Sequence, residues 1–263
     1  AILGQPNTGK STLLNRLAGS HAAIVSDIPG TTRDVLQARI DFNGRKLQIV
    51  DTAGIRRKKK VREDVEYYSV NRAIAAIDDA DVVFLMIDAS KGLTEQDKKI
   101  ATQIVKRGRG AIIVLNKWDL LPDLPNQFEA MNDRVRFLFP ILGFAPVLRL
   151  SALEGTGLAD LIDKAAAIKR QLEHRIDTGR LNRALAEWVD RTPPPTQKGR
   201  RWKVRYLTQV SVHPLQFVMF VSRSRSFPEF YTQYIKNSLR KKFGYTMVPI
   251  EIFVRDSSSQ GRT

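Results

Sequence analysis

An octapeptide with two glycines, GQPNTGKS at residues 4–11, constrains the fold of the chain more than any other sequence feature. Three apolar residues precede it, and a segment with helical periodicity follows it. Its two glycines let the backbone curl until successive N–H groups point at one phosphate, and the helix N-terminus adds positive potential. We therefore predict a phosphate-binding loop between a strand and a helix. The loop and the first helical residues are Gly4, Gln5, Pro6, Asn7, Thr8, Gly9, Lys10, Ser11 and Thr12.

The composition is typical of a folded protein without disulfides. Of 263 residues, 43% are hydrophobic and 27% charged, which excludes wholesale disorder and suggests two domains. The absence of Cys excludes thiolate metal sites and a cysteine nucleophile, and favours a cytoplasmic location. The most apolar stretch, Phe137 to Leu150, is interrupted by Pro140, Gly143 and Pro146, so we expect no membrane span.

Positive charge is concentrated in the last third of the chain. The net charge is +16, and residues 171–263 contain 17 Lys and Arg against 7 Asp and Glu. Such an excess attracts polyanions through counterion release, and nucleic acid is the usual polyanion in a cytosol. A solvated basic face that serves only solubility is the alternative.

Hydrophobic patterning divides the chain into two domains. Over residues 1–170, short apolar runs alternate with helical segments, which predicts an α/β domain. Its sheet should have six strands with helices on both faces, and Asn43-Gly44 should join two of the strands in an antiparallel hairpin, making the sheet mixed. The predicted strands are 1–3, 35–42, 46–50, 81–88, 111–115 and 146–150. The predicted helices are 11–18, 65–77, 95–106, 125–137 and 158–170.

The second half has the pattern of a small α+β domain over residues 171–256, followed by a flexible tail over 257–263. Three prolines, Pro193 to Pro195, should enforce a stiff, extended connection after the first helix. Apolar residues recurring every four positions from Phe227 to Phe243 predict one side of a helix. The predicted order is helix 181–189, strands 204–212 and 215–221, helix 227–243 and strand 250–254.

A second motif identifies the base. Asn116, Lys117, Trp118 and Asp119 directly follow the predicted strand 111–115, at the sheet edge where open α/β folds bind ligands. The Asp119 carboxylate can accept hydrogen bonds from guanine N1–H and N2–H₂, whereas adenine has no donors at those places. The motif therefore favours GTP and GDP over adenine nucleotides.

Three further segments should complete the nucleotide site. Asp51, Thr52, Ala53 and Gly54 follow a strand, so Asp51 would hold Mg²⁺ through water and the Gly54 N–H would face the γ-phosphate. A hydroxyl from Thr32 would complete the Mg²⁺ shell with Ser11. Backbone N–H groups after the strand 146–150 would close the guanine pocket. These last residues are Ser151, Ala152 and Leu153.

The order GQPNTGKST, PGTTRD, DTAG, NKWD, SAL resembles the Era/TrmE group of GTPases. With DTAGIRRKKKV and a second half containing PPP, KGRRWKVRYLTQV and LRKKFGYTMVPI, the chain resembles the EngA/Der family of double-GTPase ribosome assembly factors. The resemblance implies a P-loop GTPase domain over 1–170, a KH-like domain over 171–256, and a repeated GTPase domain upstream in the intact chain. It also implies a monomer that acts on the large ribosomal subunit precursor and its rRNA.

The resemblance further implies a potassium ion, with Asn7 as its ligand and carbonyls near Ser26 to Gly30 beside it. Ile55 stands where Ras-like GTPases carry a water-orienting Gln, so a cation near the β/γ bridge would neutralise transition-state charge instead. Glu66 is a second candidate for this compensation. We expect the catalytic residues to be Lys10, Asn7, Thr32 and Gly54.

Three alternatives stay open. An Era-like KH-containing GTPase of small-subunit maturation should keep a Gly-x-x-Gly loop, which is absent between 171 and 263. An RNA-binding protein with a vestigial nucleotide site, and a P-loop metabolic kinase or ATPase, are the others. Without that loop, RNA contacts would come from basic side chains. These are Lys198, Arg200, Arg201, Lys203 and Arg205, or Lys236, Arg240, Lys241 and Lys242. The run Arg56 to Lys60 would be a mobile solvated loop or a further RNA contact.

Overall fold

A computed structural model describes residues 1–19, 38–42, 44–50, 65–197 and 200–257. The chain divides into two compact units, Ala1–Ile168 and Lys169–Thr263, which we call the N-unit and the C-unit. Within the described ranges, no helix is both long enough and apolar enough to cross a membrane.

The N-unit alternates strands and helices. Its strands are β1 (Ile2–Gly4), β2 (Ala38–Phe42), β3 (Arg45–Ile49), β4 (Val82–Asp88), β5 (Gly110–Asn116) and β6 (Val147–Arg149). Its helices are α1 (Lys10–Gly19), α2 (Val65–Asp78), α3 (Glu95–Lys106), α4 (Gln127–Leu138) and α5 (Leu158–Glu173), the last running on into the C-unit. Short 3-10 helices span Trp118–Leu120 and Pro140–Leu142. This order confirms the predicted α/β class.

The central sheet is parallel, with strand order β1-β4-β5-β6. Residues 83–87 of β4 and 111–115 of β5 are all buried, as expected for strands covered on both faces. Asp88 pairs in register with Asn116, so the polar residues that end β4 and β5 lie side by side. The carboxyl ends of the strands therefore meet at one edge, where the predicted loops begin.

The described residues do not form the predicted six-stranded mixed sheet as one sheet; they form a four-stranded parallel sheet and a separate two-stranded hairpin. β2 and β3 form the predicted antiparallel hairpin, but among the described residues they pair only with each other and not with the parallel sheet. β1 has three residues, and its ladder with β4 uses all of them. Such a short strand offers few backbone groups to a further neighbour on its other side.

The C-unit contains α6 (Thr178–Arg191), β9 (Val204–Ser211), β10 (Gln216–Val221), α7 (Glu229–Phe243) and β11 (Glu251–Asp256). The three strands form one sheet in the order β11-β10-β9, with β10 parallel to β11 and antiparallel to β9. This arrangement confirms the predicted α+β pattern. A 3-10 turn over Ser224–Ser226 and a two-stranded hairpin of β7 (Thr196–Gln197) and β8 (Arg200–Arg201) were not predicted.

The predicted apolar side of α7 is buried at Tyr231, Ile235 and Leu239. Phe227 precedes the helix instead of belonging to it, because Pro228 disfavours helical geometry in the residue before it. Phe227 still packs its ring against Tyr231, with a centroid distance of 5.8 Å. The four-residue pattern therefore identified the buried residues more accurately than the helix start.

Candidate functional site

The phosphate-binding loop connects β1 to α1 as predicted, and its glycines are required by their neighbours. Gly4 and Gly9 have φ values of 145° and 95°. A Cβ at Gly4 would collide with the Met86 carbonyl oxygen, and one at Gly9 with the Asn116 side-chain amide. Asn7 adopts a φ of 64°, a left-handed conformation that asparagine tolerates better than most residues. The loop thus leaves a cradle that side chains at these positions would distort.

Lys10 begins α1 and lies across the loop. Its Nζ donates to the Gly4 carbonyl oxygen at 2.9 Å and to the Gln5 carbonyl oxygen at 2.5 Å. Burial lowers the pKa of the Lys10 ammonium, while the charge of the nearby Asp97 carboxylate acts in the opposite direction. The two hydrogen bonds hold the Lys10 side chain at the loop, where its ammonium can pair with a phosphate oxygen. Ser11 and Thr12 follow in the first turn of α1, with Ser11 half-buried and Thr12 exposed.

Asn116 joins the predicted loops into one site. It is 2% exposed, and its Nδ2 donates to the Thr8 carbonyl oxygen at 2.8 Å. Its Oδ1 accepts from the Ala152 N–H at 2.9 Å. One side chain at the end of β5 therefore connects the phosphate-binding loop to the segment 151–153.

The segment 151–153 is held from a second side. Ser151 and Ala152 are buried, whereas Leu153 is exposed. Arg16 of α1 donates through Nη2 to the Leu153 carbonyl oxygen at 2.7 Å. The Ala152 N–H is engaged by Asn116, so its structural role here is to position this loop.

Lys117 is fixed by an acid that sequence reasoning missed. Its Nζ lies 2.6 Å from Oδ2 of Asp88, the buried last residue of β4. Burial raises the pKa of the Asp88 carboxyl, but hydrogen bonds from Lys117 and Ser90 outweigh it, and the net pKa is below the usual value. The carboxylate therefore stays ionised and holds Lys117. The sequence did offer one signal for this pairing: Asp88 ends the apolar strand β4, as Asn116 ends the neighbouring strand β5.

Lys117 has a φ of 62° and precedes the 3-10 helix that contains Trp118 and Asp119. Trp118 donates from its backbone N–H to the Leu150 carbonyl oxygen at 3.1 Å. Its ring packs edge-on against Phe128, 5.9 Å between centroids, as expected of a packing residue. The Asp119 side chain is exposed, which leaves its carboxylate accessible to a base.

Several predicted residues lie outside the described ranges. They are Thr32, Asp51, Thr52, Ala53, Gly54 and Ile55, together with the segments 26–30 and 56–60. Glu66 lies in α2, but its side chain is also outside the description. Among the residues that are described, no group of three His, Cys, Asp or Glu could hold a metal ion. Of the predicted Mg²⁺ ligands, Ser11 alone belongs to the described part.

The basic side chains predicted to contact RNA differ in their surroundings. Lys203, Arg205 and Lys241 are exposed. Arg240 instead donates to the Tyr245 and Val248 carbonyl oxygens at 2.6 and 2.8 Å, so it stabilises the loop after α7. Lys242 forms an ion pair with Glu187 at 3.1 Å. Lys198 and the side chains of Arg200 and Arg201 are not described.

Comparisons with known proteins match each half of the chain to a different family. Residues 1–117 match the family described as 50S ribosome-binding GTPase, and residues 175–255 match the KH-domain-like C-terminal family of EngA bacterial GTPase enzymes. GTPase Der of Borreliella afzelii is 46% identical over 97% of this chain and 58% of its own length. GTPase Der of Desulfitobacterium hafniense strain DCB-2 is 41% identical, with 99% and 59% covered.

The chain therefore spans somewhat over half the length of these curated relatives. Among solved structures, Aquifex aeolicus Era bound to GDP and AlF4- is similar, with a TM-score of 0.49 and 22% identity. The alignment covers 97% of this chain and 92% of that chain.

Proposed function

Since the chain belongs to the GTPase Der family, we propose that it binds GTP and hydrolyses it to GDP and phosphate as a molecular switch. The observation that carries this proposal is the pair of hydrogen bonds made by Asn116, to Thr8 and to Ala152. They support a single nucleotide site, because they hold the phosphate-binding loop, the end of β5 and the segment 151–153 together at one edge of the sheet.

The phosphates would lie over the loop 4–9. Backbone N–H groups at the start of α1 would donate to them, and Lys10 would exchange its carbonyl partners for β- and γ-phosphate oxygens. Ser11, Thr32 and Asp51 would hold Mg²⁺, which neutralises charge on these phosphates when bound. The Gly54 N–H would donate to the γ-phosphate, and Thr52, Ala53 and Ile55 would line the same loop.

The base would be selected at the other end of the site. Asp88 fixes Lys117, and the following 3-10 helix presents Asp119 to solvent. We infer that the Asp119 carboxylate accepts from guanine N1–H and N2–H₂, while Ala152 and its neighbours close the pocket. An adenine base would leave this carboxylate without donors.

We also propose that Asn7 binds K⁺ beside the phosphates. Asn7 lies within the loop, has a left-handed backbone and is exposed, which supports this role. A monovalent cation there would neutralise charge that develops between the β- and γ-phosphates. This chemistry compensates for Ile55 at the position of a water-orienting glutamine.

For the second half, we propose a KH-like domain over 171–256 that contacts rRNA, next to a GTPase domain over 1–170. Exposed Lys203, Arg205 and Lys241 support electrostatic contact with a phosphate backbone. The partner would be the large ribosomal subunit precursor, with the chain acting as a cytoplasmic monomer in ribosome biogenesis. In the intact protein, a further GTPase domain would precede this one.

The first test is GTP turnover by the purified chain with Mg²⁺, compared with its Lys10→Ala variant. We expect the wild type to release phosphate and the variant to be slower by about a hundredfold, because it lacks the cation at the transferred phosphate. A wild type as inactive as the variant would instead support the alternative of an RNA-binding protein with a vestigial nucleotide site. Crosslinking of the chain to large-subunit precursor RNA, with a GTP analogue and with GDP, tests the proposed rRNA contact of the KH-like domain.

A further inference from the structure

The phosphate-binding loop is tied to the helix α3 by a side-chain hydrogen bond. Gln5, the second residue of the loop, donates from Nε2 to Oγ1 of Thr94. Thr94 is the N-cap residue of α3, and its hydroxyl also accepts from the Asp97 N–H at 3.4 Å. The N-terminus of α3 therefore reaches the loop that we expect to hold the phosphates.

The direction of this hydrogen bond is set by Asp97. The Thr94 hydroxyl has one proton, and it donates that proton to Oδ2 of Asp97 at 2.8 Å. The Thr94 N–H donates to the same oxygen at 3.0 Å. Because this proton is used in the bond to Asp97, the Thr94 hydroxyl can only accept from Gln5. Asp97 therefore orients the Thr94 hydroxyl and, through it, the Gln5 amide.

Asp97 is more buried than a helix cap requires. It is 2% exposed, and within the described residues its Oδ1 is buried without a hydrogen-bond partner. By contrast, Asp177 caps α6 at the surface, where it accepts from the Arg180 N–H at 2.9 Å. Burying a carboxylate is costly, so capping alone does not explain its position.

The anchor extends to the lysine of the site. The Gln5 carbonyl oxygen accepts from Lys10 Nζ and, at 2.9 Å, from Thr8 Oγ1. Displacement of Gln5 would therefore move two groups of the loop at once. The Asp97 carboxylate also lies close enough to favour the charged form of Lys10.

We propose that Thr94 and Asp97 are positioning residues of the nucleotide site, holding the phosphate-binding loop in its binding geometry through the Gln5 side chain. This inference rests on the proposed function, because it names what keeps that same site in order. It differs from a capping role in one respect. A cap affects stability alone, whereas an anchor affects nucleotide affinity.

The test measures the dissociation constant of fluorescent GDP for the full 263-residue chain and its variants. Thr94→Val removes the hydroxyl, and Gln5→Met removes the donor from a partly exposed loop residue. We expect each to weaken GDP binding roughly tenfold, the loss of one hydrogen bond in a preorganised site. The double variant should be no weaker than either alone, because both changes break the same bond. Thr94→Ser should keep wild-type affinity, because serine retains the hydroxyl.

Asp177→Ala is the control, since it removes the N-cap side chain of a helix in the C-unit. It should lower the unfolding temperature without changing GDP affinity. Unchanged GDP affinity in Gln5→Met, or additive losses in the double variant, would overturn the inference. If Thr94→Val does not fold, Gln5→Met alone decides between the two outcomes. A wild type that binds no guanine nucleotide would instead overturn the proposed function.

Discussion

Asn116 Nδ2 and the Thr8 carbonyl oxygen lie 2.8 Å apart in the interior of the N-unit, joining residues 108 positions apart in sequence. The same amide accepts from the Ala152 N–H, so one side chain positions two loops. The amide also lies where a Cβ on Gly9 would be. Asn116 therefore has a structural role in this site that does not depend on a bound ligand.

Replacing Asn116 with Ala should lower both stability and nucleotide affinity. The Thr8 carbonyl and the Ala152 N–H would lose their partner, at about 1–3 kcal/mol for each buried group. We expect the free energy of unfolding to fall by about 2–6 kcal/mol, measured by urea denaturation. GDP affinity, measured by fluorescence titration of the folded variant, should fall as well because the loops separate.

Asn182→Ala is the control for this change. In the C-unit, the Asn182 side chain bridges to the Leu207 N–H and carbonyl oxygen at 3.0 and 2.9 Å, the same two-way pattern. This variant should also lose stability but keep wild-type GDP affinity. Equal losses of affinity in the two variants would show that the effect of Asn116 is not local to the site.

Comparing Gly9→Ala with Gly244→Ala distinguishes the cost of backbone strain from the cost of a steric clash. Gly9→Ala would force a left-handed conformation on alanine and press its Cβ into the Asn116 amide. Gly244→Ala, at a φ of 77°, meets no described atom within 4 Å and adds strain alone, about 1 kcal/mol. We expect Gly9→Ala to lower the urea midpoint clearly more than Gly244→Ala and to abolish GDP binding. Similar midpoints would contradict the close contact with Asn116.

Asp119→Asn should change base preference. The amide cannot accept both donors of guanine, so GDP affinity should fall by about a hundredfold or more. The same amide can donate to a 2-oxo group, and xanthosine diphosphate should therefore bind better than GDP. Competition titrations with the two nucleotides and ADP measure this change. An unaltered preference would favour the kinase or ATPase alternative.

Potassium should accelerate hydrolysis severalfold over sodium if Asn7 binds the ion. Asn7→Gly is the suitable variant, because glycine keeps the left-handed backbone that Asn7 adopts at a φ of 64°. We expect it to lose the potassium effect while retaining GDP affinity. Turnover in matched KCl and NaCl buffers measures this difference. Identical wild-type rates in the two salts would remove Asn7 from this role.

The elements and the order of the loops were predictable because they depend on local pattern. Apolar runs located β4 and β5, and α3 has the predicted bounds of residues 95 and 106. Polar residues after strands predicted which loops meet, since parallel strands bring their carboxyl ends to one edge.

What the sequence could not show depends on register and burial. Asp88 became a partner of Lys117 because β4 and β5 pair with their last residues side by side. Gln5 and Thr94 are 89 positions apart, and nothing local indicated that their side chains would be hydrogen-bonded. Similarly, a hairpin pattern cannot reveal whether its strands join a larger sheet.

Alkaline pH should destabilise the C-unit through two buried tyrosines. Burial raises the pKa of Tyr231 and of Tyr245 to about 12, while their hydroxyls donate to the carbonyl oxygens of Thr192 and His174. Because the pKa of each tyrosine in the folded chain lies above the ordinary tyrosine value of about 10, this contribution to stability is complete below pH 10 and is lost as pH rises towards 12. Urea denaturation across this window, followed by tryptophan fluorescence, should show the decline, and Tyr245→Phe should weaken it. A variant with the same pH dependence as wild type would contradict this assignment.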